Sequence, residues 1–240
     1  MIRVTIWNEF RHEKTEPVKS LYPAGMHQAI AAGIAADDLD IRCVALDDPD
    51  QGLPDDVLNN TDVLLWWGHH AHRFVEDELV KKIRQRVISG MGLIVLHSGH
   101  DSKVFKAVLG TSCSLRWRQI GERERLWVVD PSHPIARNVP PTFALEHEEM
   151  YGEPFGIPDD GKIVFMSWFQ GGDVFRSGVT FQRGSGRIFY FAPGHETFPT
   201  YYDKNVLTVI GNAVRWAAPE KFYDWSCAKS EPAEPVNNGE

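Results

Sequence analysis

The chain has 240 residues, 42% of them hydrophobic, and a formal net charge of −8 at pH 7. This size and composition suit one domain with a buried core, and the negative charge argues against a nucleic-acid partner, which needs clustered Lys and Arg. No apolar run approaches the roughly 20 residues that span a bilayer, so we expect no membrane partner. The three cysteines are scattered without metal or disulfide spacing, and the first residues read as a strand rather than a signal peptide, so we expect a cytoplasmic protein.

The first half of the sequence alternates strand and helix patterns. Apolar, β-branched runs predict strands over residues 2–7, 41–46, 62–67 and 92–96. Stripes of apolar residues at helical spacing predict helices over 22–37 and 75–89. Strands joined by such helices form right-handed βαβ crossovers, so this half predicts a parallel sheet.

The second half has a different pattern. Strands are predicted over residues 126–130, 143–151, 163–169, 174–182 and 187–191. Gly-rich turns join the last three of these and indicate hairpins. A helix ending near Ala217 follows. We therefore predict one three-layer α/β domain over residues 1–225, with a mostly parallel sheet and added antiparallel strands, followed by a Glu/Pro-rich tail over 226–240 that is expected to be disordered.

Half of the ten histidines follow or end a predicted strand: His12, His69, His97, His147 and His195. The carboxyl ends of parallel strands meet at one edge of the sheet, where α/β proteins bind their ligands. His97 lies at the turn between a buried strand and the next helix, a position typical of a nucleophile, acid or base.

Neutral imidazoles and one carboxylate are the usual ligands of a catalytic zinc ion. Period two in the strand over 143–151 places His147, Glu149 and Tyr151 on one face. We predict that a divalent metal, zinc by preference, is held by a subset of His69, His147, Glu149 and His195. His97 then acts as general acid or base, with Tyr151 as a second hydrogen-bond donor.

Without metal, Glu149 and His97 form an acid–base pair, and spacing alone does not separate the two alternatives. Four further side chains at the same predicted edge are candidates for substrate binding: Arg11, His12, Trp67 and His100. A nucleophilic triad is not supported, because Ser98 is the one candidate at the turn and Cys113 lies after the helix.

Four short motifs in a fixed order resemble the ThuA family, which is linked to trehalose utilisation. They are Leu-His-Ser-Gly at 96–99, Asp-Pro-Ser-His-Pro-Ile at 130–135, Glu-Glu-Met-Tyr at 148–151, and Gly-Arg-Ile-Phe-Tyr at 186–190 leading to Gly194-His195. The resemblance implies a flavodoxin-like, class I glutamine amidotransferase-like fold. It also implies a role in sugar metabolism, with trehalose-related or keto-sugar derivatives as substrates.

The amidotransferases carry Cys-x-Gly at the turn where this chain has His97-Ser98-Gly99, so hydrolysis of glutamine through a thioester is excluded. The tract Gly68-His69-His70-Ala71-His72 is an elaboration of the family pattern and adds to the case for a metal.

These motifs and residues fit three functions. They are an enzyme acting on a sugar, a non-catalytic sugar-binding or regulatory module, and an amidase or isomerase acting on another small metabolite. In the second, the sugar would stack on tryptophans, for which the candidates are Trp66, Trp67, Trp117 and Trp168. The eight tryptophans and the aromatic stretch at 222–225 also predict a homo-oligomer.

Overall fold

The computed structural model describes residues 1–236, which form one nine-stranded sheet with helices on both faces. The strands are β1 (Ile2–Asn8), β2 (Leu39–Ala45), β3 (Val63–Trp67), β4 (Gly92–Leu96), β5 (Arg116–Val128), β6 (Thr142–Gly152), β7 (Lys162–Phe169), β8 (Val174–Arg183) and β9 (Gly186–Phe191). The α-helices are α1 (Val18–Leu21), α2 (Met26–Ile34), α3 (Asp55–Asn59), α4 (Asp77–Ser89), α5 (Lys103–Leu109) and α6 (Lys204–Ala217).

The strand order is β2-β1-β3-β4-β9-β8-β7-β5-β6. The pairings from β2 to β9 are parallel, and those from β9 to β6 are antiparallel. β9 belongs to both halves, because it pairs in parallel with β4 and antiparallel with β8. The predicted α/β fold, with antiparallel strands added to a parallel sheet, is confirmed.

Two hydrophobic cores lie on opposite faces of the sheet. All residues of β3 are buried, and alternate side chains enter different cores: Leu64 and Trp66 pack with α4 and α5, whereas Leu65 and Trp67 pack with α2 and α6. A strand buried on both faces is typical of a sheet covered by helices on each side. The domain is therefore a three-layer sandwich, as predicted.

The antiparallel half differs from the expectation in detail. β5 begins at Arg116, ten residues before the predicted start. The added residues pair with β6 and, over 122–125, alternate buried glutamates with half-buried arginines, so no apolar run marks them in the sequence. The pairing shifts near Glu122, which lies opposite Glu148, while Glu124 lies opposite Leu145. β6 therefore carries one extra residue at this point, and such a bulge changes which face the following side chains occupy.

The chain beyond Ala217 runs on without further regular structure in the part that the structure describes. Residues 226–236 are exposed and contain no helix or strand. The remainder of the expected disordered tail, residues 237–240, lies outside the described residues. None of the described helices is both long and apolar enough to cross a membrane.

Candidate active site at the carboxyl edge of the sheet

His97 directly follows β4 and is fully buried. Its φ of +47° lies in the left-handed region, which a residue with a β-carbon adopts at a cost and which is often found at functional turns. The ring is fixed by a hydrogen bond of 2.8 Å between Nδ1 and the carbonyl oxygen of Ala192. Because Nδ1–H must donate in this bond, the neutral ring carries its lone pair on Nε2.

Two side chains of β6 contact this Nε2. Glu149 Oε2 lies 3.1 Å away, in an approach that is not aligned as a hydrogen bond, and the Tyr151 hydroxyl lies 3.2 Å away. The Tyr151 ring also stacks on the His97 ring with centroids 4.8 Å apart. Burial raises the pKa of Tyr151 well above its usual value, so its hydroxyl stays protonated and can donate a hydrogen bond.

His195 lies in the turn after β9, and this turn is built around the carboxylate of Glu148. Glu148 accepts hydrogen bonds from the backbone N–H groups of Gly194 (3.2 Å) and His195 (3.3 Å). Gly194 has a φ of +137°, and a β-carbon there would collide with the Tyr201 hydroxyl, so glycine is required. The turn therefore holds the His195 ring in one place.

The imidazole of His195 is neutral, because burial and the nearby His97 lower its pKa to about 3. Its Nδ1 lies 2.8 Å from the Thr197 hydroxyl oxygen. The backbone N–H of Thr197 also donates to Nδ1 (3.2 Å), which places the proton of the neutral ring on Nε2. Nε2 offers a lone pair only in the other tautomer, in which Nδ1–H donates to the Thr197 hydroxyl oxygen. This Nε2 is buried, and no hydrogen-bond partner for it exists among residues 1–236.

Three ligand atoms thus converge: His97 Nε2, Glu149 Oε2 and His195 Nε2 lie within 4.8 Å of one another, and all three residues are buried. Glu149 Oε2, like His195 Nε2, lacks a hydrogen-bond partner in the described chain. Two atoms that ligate one tetrahedral zinc ion at about 2.1 Å are about 3.4 Å apart, so the 3.1 Å between His97 and Glu149 suits a shared cation. Two nitrogens and one carboxylate oxygen are also a known ligand set for catalytic zinc.

The histidine tract after β3 is ordered by a buried carboxylate that follows β1. Glu9 accepts hydrogen bonds from the backbone N–H groups of His69 (2.6 Å), His70 (3.0 Å) and Ala71 (2.9 Å). This places the His69 ring beside the His195 ring, with centroids 6.2 Å apart. The tract is therefore part of the same site.

A partly open cavity of about 520 Å³ adjoins these residues and falls within the range of small-molecule sites. Its lining includes Ser98, His100, Trp117, Gln119, Glu149 and Tyr151. The Trp117 ring is 65% exposed and offers an apolar face, while the hydroxyl, amide and imidazole groups supply hydrogen-bonding partners. Such a mixture can bind a polyhydroxylated molecule.

The family model described as ThuA, trehalose utilisation, matches residues 3–217. The chain belongs to the ThuA family. A comparison with curated proteins returned no match.

Solved structures of similar fold include proteins described as ThuA-like. A ThuA-like protein from Parabacteroides merdae has a TM-score of 0.67 at 13% identity, with 94% of this chain and 92% of that chain covered. A cytoplasmic protein from Salmonella typhimurium has a TM-score of 0.60 at 14% identity, with 92% and 100% covered. A glutamine amidotransferase from Thermotoga maritima has a TM-score of 0.54 at 11% identity, with 90% and 97% covered. The ThuA chain therefore has the class I glutamine amidotransferase-like fold.

Of the four side chains predicted for substrate binding, one lines the cavity and three do not. His100 lines the cavity, and its Nδ1 lies 2.8 Å from the carbonyl oxygen of Cys113. His12 contacts the histidine tract. Trp67 is buried behind the site, where its Nε1 donates to the carbonyl oxygen of Gly194, and Arg11 forms an exposed ion pair with Asp47 away from the cavity.

The expectation that His147 shares a face with Glu149 and Tyr151 does not hold. The bulge in β6 leaves His147 exposed, with Nδ1 3.2 Å from the carbonyl oxygen of Gly121 and the ring stacked on Phe198. The structure therefore brings together His69, Glu149 and His195 from the predicted metal set but not His147. His97, predicted as an acid or base, contributes a potential ligand atom instead.

Sequence reasoning missed three carboxylates of the site. Glu9 lies one residue after the end of β1 at Asn8, and Glu196 lies five residues after the end of β9 at Phe191, next to His195, so the rule that found the histidines could also have found them. Glu148 lies inside β6, and its position depends on the bulge, which has no clear signature in the sequence.

Proposed function

We propose that this ThuA-family protein is a metal-dependent enzyme that acts on a carbohydrate, with trehalose-related or keto-sugar derivatives as its substrate class. The observation that carries the proposal is the convergence of His97 Nε2, Glu149 Oε2 and His195 Nε2 beside the polar cavity. The description of the family, trehalose utilisation, supports a sugar as the substrate. Zinc is the preferred metal because two imidazoles and a carboxylate match its usual ligands.

A divalent cation at this position would polarise a carbonyl or hydroxyl oxygen of the sugar. The Tyr151 hydroxyl, which lies at the cavity and stays protonated, is placed to donate a hydrogen bond to the same substrate. Burial lowers the pKa of His100 to about 4, so its imidazole is neutral. With Nδ1–H donating to the carbonyl oxygen of Cys113, Nε2 of His100 is free to accept a hydrogen bond from the substrate. Trp117 offers its exposed ring face for stacking on the sugar.

The test is metal analysis of the protein purified without chelators, together with turnover of a panel of trehalose-related and keto-sugar substrates. His195→Ala should lose both metal and activity. His147→Ala, a matched control on an exposed histidine, should retain both. A wild-type protein that contains no stoichiometric metal, and whose turnover of these sugars is unaffected by added Zn²⁺ or Mn²⁺, would overturn the proposal.

A metal-free acid–base mechanism is a second candidate, favoured by the contact between His97 and Glu149. Burial alone would lower the pKa of His97, but the neighbouring carboxylate of Glu149 outweighs it and raises the pKa. In this case His97 and Glu149 exchange a proton with the substrate directly. Activity that persists after extensive chelation would favour this candidate over the metal.

The third candidate, a non-catalytic sugar-binding module, would need tryptophans that stack on the sugar, and most of the predicted ones do not line the cavity. Trp66 and Trp67 are buried, and Trp66 stacks on Trp7 with ring centroids 3.8 Å apart, so neither is free to contact a sugar. Trp117 alone among the four candidates lines the cavity. Binding of a sugar without turnover would favour this module.

We further propose that the protein is a cytoplasmic homo-oligomer. Exposed aromatic rings support self-association, among them Trp127, Trp168, Tyr223 and Trp225. The Salmonella relative described as cytoplasmic supports the location. Light scattering at micromolar concentration tests the assembly, and a clean monomer mass would contradict it.

A further inference from the structure

A second group of ligand atoms lies directly beside the first. His12 Nε2 and His69 Nδ1 are 3.2 Å apart, and both residues are only partly exposed. This separation is close to the roughly 3.4 Å between two nitrogens bound to one tetrahedral zinc ion. His12 comes from the segment after β1 and His69 from the segment after β3, so two adjacent parallel strands deliver them.

The surroundings of His12 are compatible with ligation. His12 Nδ1 lies 3.3 Å from Glu196 Oε1. When Nδ1–H donates to this carboxylate, the lone pair of His12 is on Nε2, facing His69. A carboxylate behind a metal-binding histidine commonly fixes the tautomer in this way.

Glu196 supplies the third ligand. It also provides evidence for a cation that does not depend on the contact between the two histidines. Its side chain is 6% exposed, and Oε2 lies 3.6 Å from His69 Nδ1. This oxygen has no hydrogen-bond partner anywhere in residues 1–236. A buried carboxylate oxygen without a partner is costly unless a cation or water satisfies it.

A simple hydrogen-bond chain from His69 through His12 to Glu196 would explain the two ring contacts. It would leave Glu196 Oε2 unsatisfied, because the chain uses Oε1. His12, His69 and His70 each offer a ligand atom within 4.8 Å of the others. A cation between His12 and His69 would satisfy their facing ring nitrogens and neutralise Glu196 Oε2, which lies 3.6 Å from His69 Nδ1.

We infer that a second divalent cation binds between His12, His69 and Glu196, so that the centre is binuclear. Glu196 Oε1 lies 3.7 Å from His195 Nε2, a ligand atom of the first group, so one carboxylate lies between the two sites. The inference rests on the proposed function, since the second cation is placed relative to the first.

Two adjacent cations hold two neighbouring oxygens of one substrate or clamp both oxygens of a reacting centre. The ligand class that fits such a centre is a sugar with vicinal oxygens, such as an α-hydroxyketone or a cis-diol. A single cation could bind one sugar oxygen without a second oxygen on the neighbouring carbon.

The experiment loads the full chain with Mn²⁺, removes unbound metal, and measures metal per chain together with the electron paramagnetic resonance spectrum. The wild-type protein should bind two equivalents and show the signal of an exchange-coupled pair. His69→Ala and His12→Gln should each bind one equivalent and show the signal of an isolated ion. His147→Ala should match the wild type, and circular dichroism of each variant confirms its fold.

The outcomes separate this inference from the proposed function. One equivalent in the wild type that is lost in His195→Ala but kept in His69→Ala overturns the second site and leaves the first. One equivalent that is lost in both variants shows a single site built from both groups, which also overturns the binuclear centre. No bound Mn²⁺ or Zn²⁺ in the wild type overturns both.

Discussion

The parallel and antiparallel halves of the sheet supply different chemistry to the site. The parallel strands supply imidazoles, each from the segment just after a carboxyl end: His12, His69, His97 and His195. The antiparallel half supplies Glu148, Glu149 and Tyr151, which lie within β6 rather than after it. The imidazoles thus come from strand ends, together with the carboxylates of Glu9 and Glu196, whereas Glu148, Glu149 and Tyr151 come from the interior of one strand.

The two halves also reach the site by different routes. In the parallel half, topology alone brings the strand ends to one edge. β6 is at the far end of the strand order, yet Tyr151 stacks on His97 next to β4. The long β5–β6 arm must therefore fold back over the carboxyl edge, which the irregular pairing near Glu122 accommodates. Because both halves contribute side chains to the site, substitutions in either half test whether it is one centre.

The largest expected effect comes from removing one ligand from each half. Both His97→Ala and Glu149→Ala should lose metal and activity together, with turnover reduced by about 10²–10³-fold or more. His97 belongs to the parallel half and Glu149 to the antiparallel half, so equal losses show that both contribute to one centre. Metal analysis and turnover of the same preparations measure this. Retention of full metal by His97→Ala would instead restore His97 to the role of general acid or base.

Tyr151→Phe separates chemistry from metal binding in the antiparallel half. The phenylalanine keeps the ring stacked on His97 but removes the hydroxyl, so metal content should be unchanged while turnover falls by about 10²-fold. Tyr223→Phe, in the exposed chain after α6, is the control and should have no effect. Unchanged turnover in Tyr151→Phe would remove the hydroxyl from the mechanism.

The sequence predicts the parallel half of the sheet more completely than the antiparallel half. Runs such as Val63–Trp67 and Gly92–Leu96 are buried on both faces and contain little else but apolar residues, so the strands, their parallel pairing and the histidines at their ends could be predicted. β5 is rich in Arg and Glu, with buried Glu122 and Glu124 at positions where a strand usually has apolar residues, and its first ten residues escaped prediction. The bulge in β6 placed His147 outside and Glu148 inside, because period two holds only while the ladder is regular.

Glu9→Gln probes how the parallel half orders its histidine tract. The amide retains one acceptor oxygen for three backbone N–H groups, so the turn carrying His69 should loosen. We expect the affinity of the second cation to fall by about 10–100-fold, as for other groups behind metal ligands, with the first cation retained. Titration with Mn²⁺ measures both affinities. Glu13→Gln changes a buried carboxylate that binds Asn8 and Met26 rather than the tract, so it should leave both affinities unchanged.

The smallest expected effect concerns stability, and it arises because the antiparallel half buries the carboxyl groups of Glu124 and Glu148, whose hydrogen bonds do not offset the loss of solvation. Burial, followed by the charge of Glu148, raises the pKa of Glu124 to about 8, and burial raises that of Glu148 to about 7. A carboxyl whose pKa is raised on folding contributes its full stability below its ordinary pKa and loses it as the pH rises toward the folded value. The wild-type protein should therefore lose stability between about pH 4.5 and pH 8.

Glu124→Gln keeps an acceptor for the Ser167 hydroxyl and removes one of these two titrations. The decline in the free energy of unfolding should become shallower by about 1–3 kcal/mol over that range, while the share due to Glu148 persists. Urea unfolding at several pH values measures it. Glu122→Gln on the same strand is the matched control, because the hydrogen bond from Arg118 lowers the pKa of Glu122, so removing its charge cannot flatten the decline. A decline equally steep in Glu124→Gln and in the wild type would mean that Glu124 is ionised in the folded protein, and the antiparallel half would then hold a buried charge that the neighbouring imidazoles or a bound cation must balance.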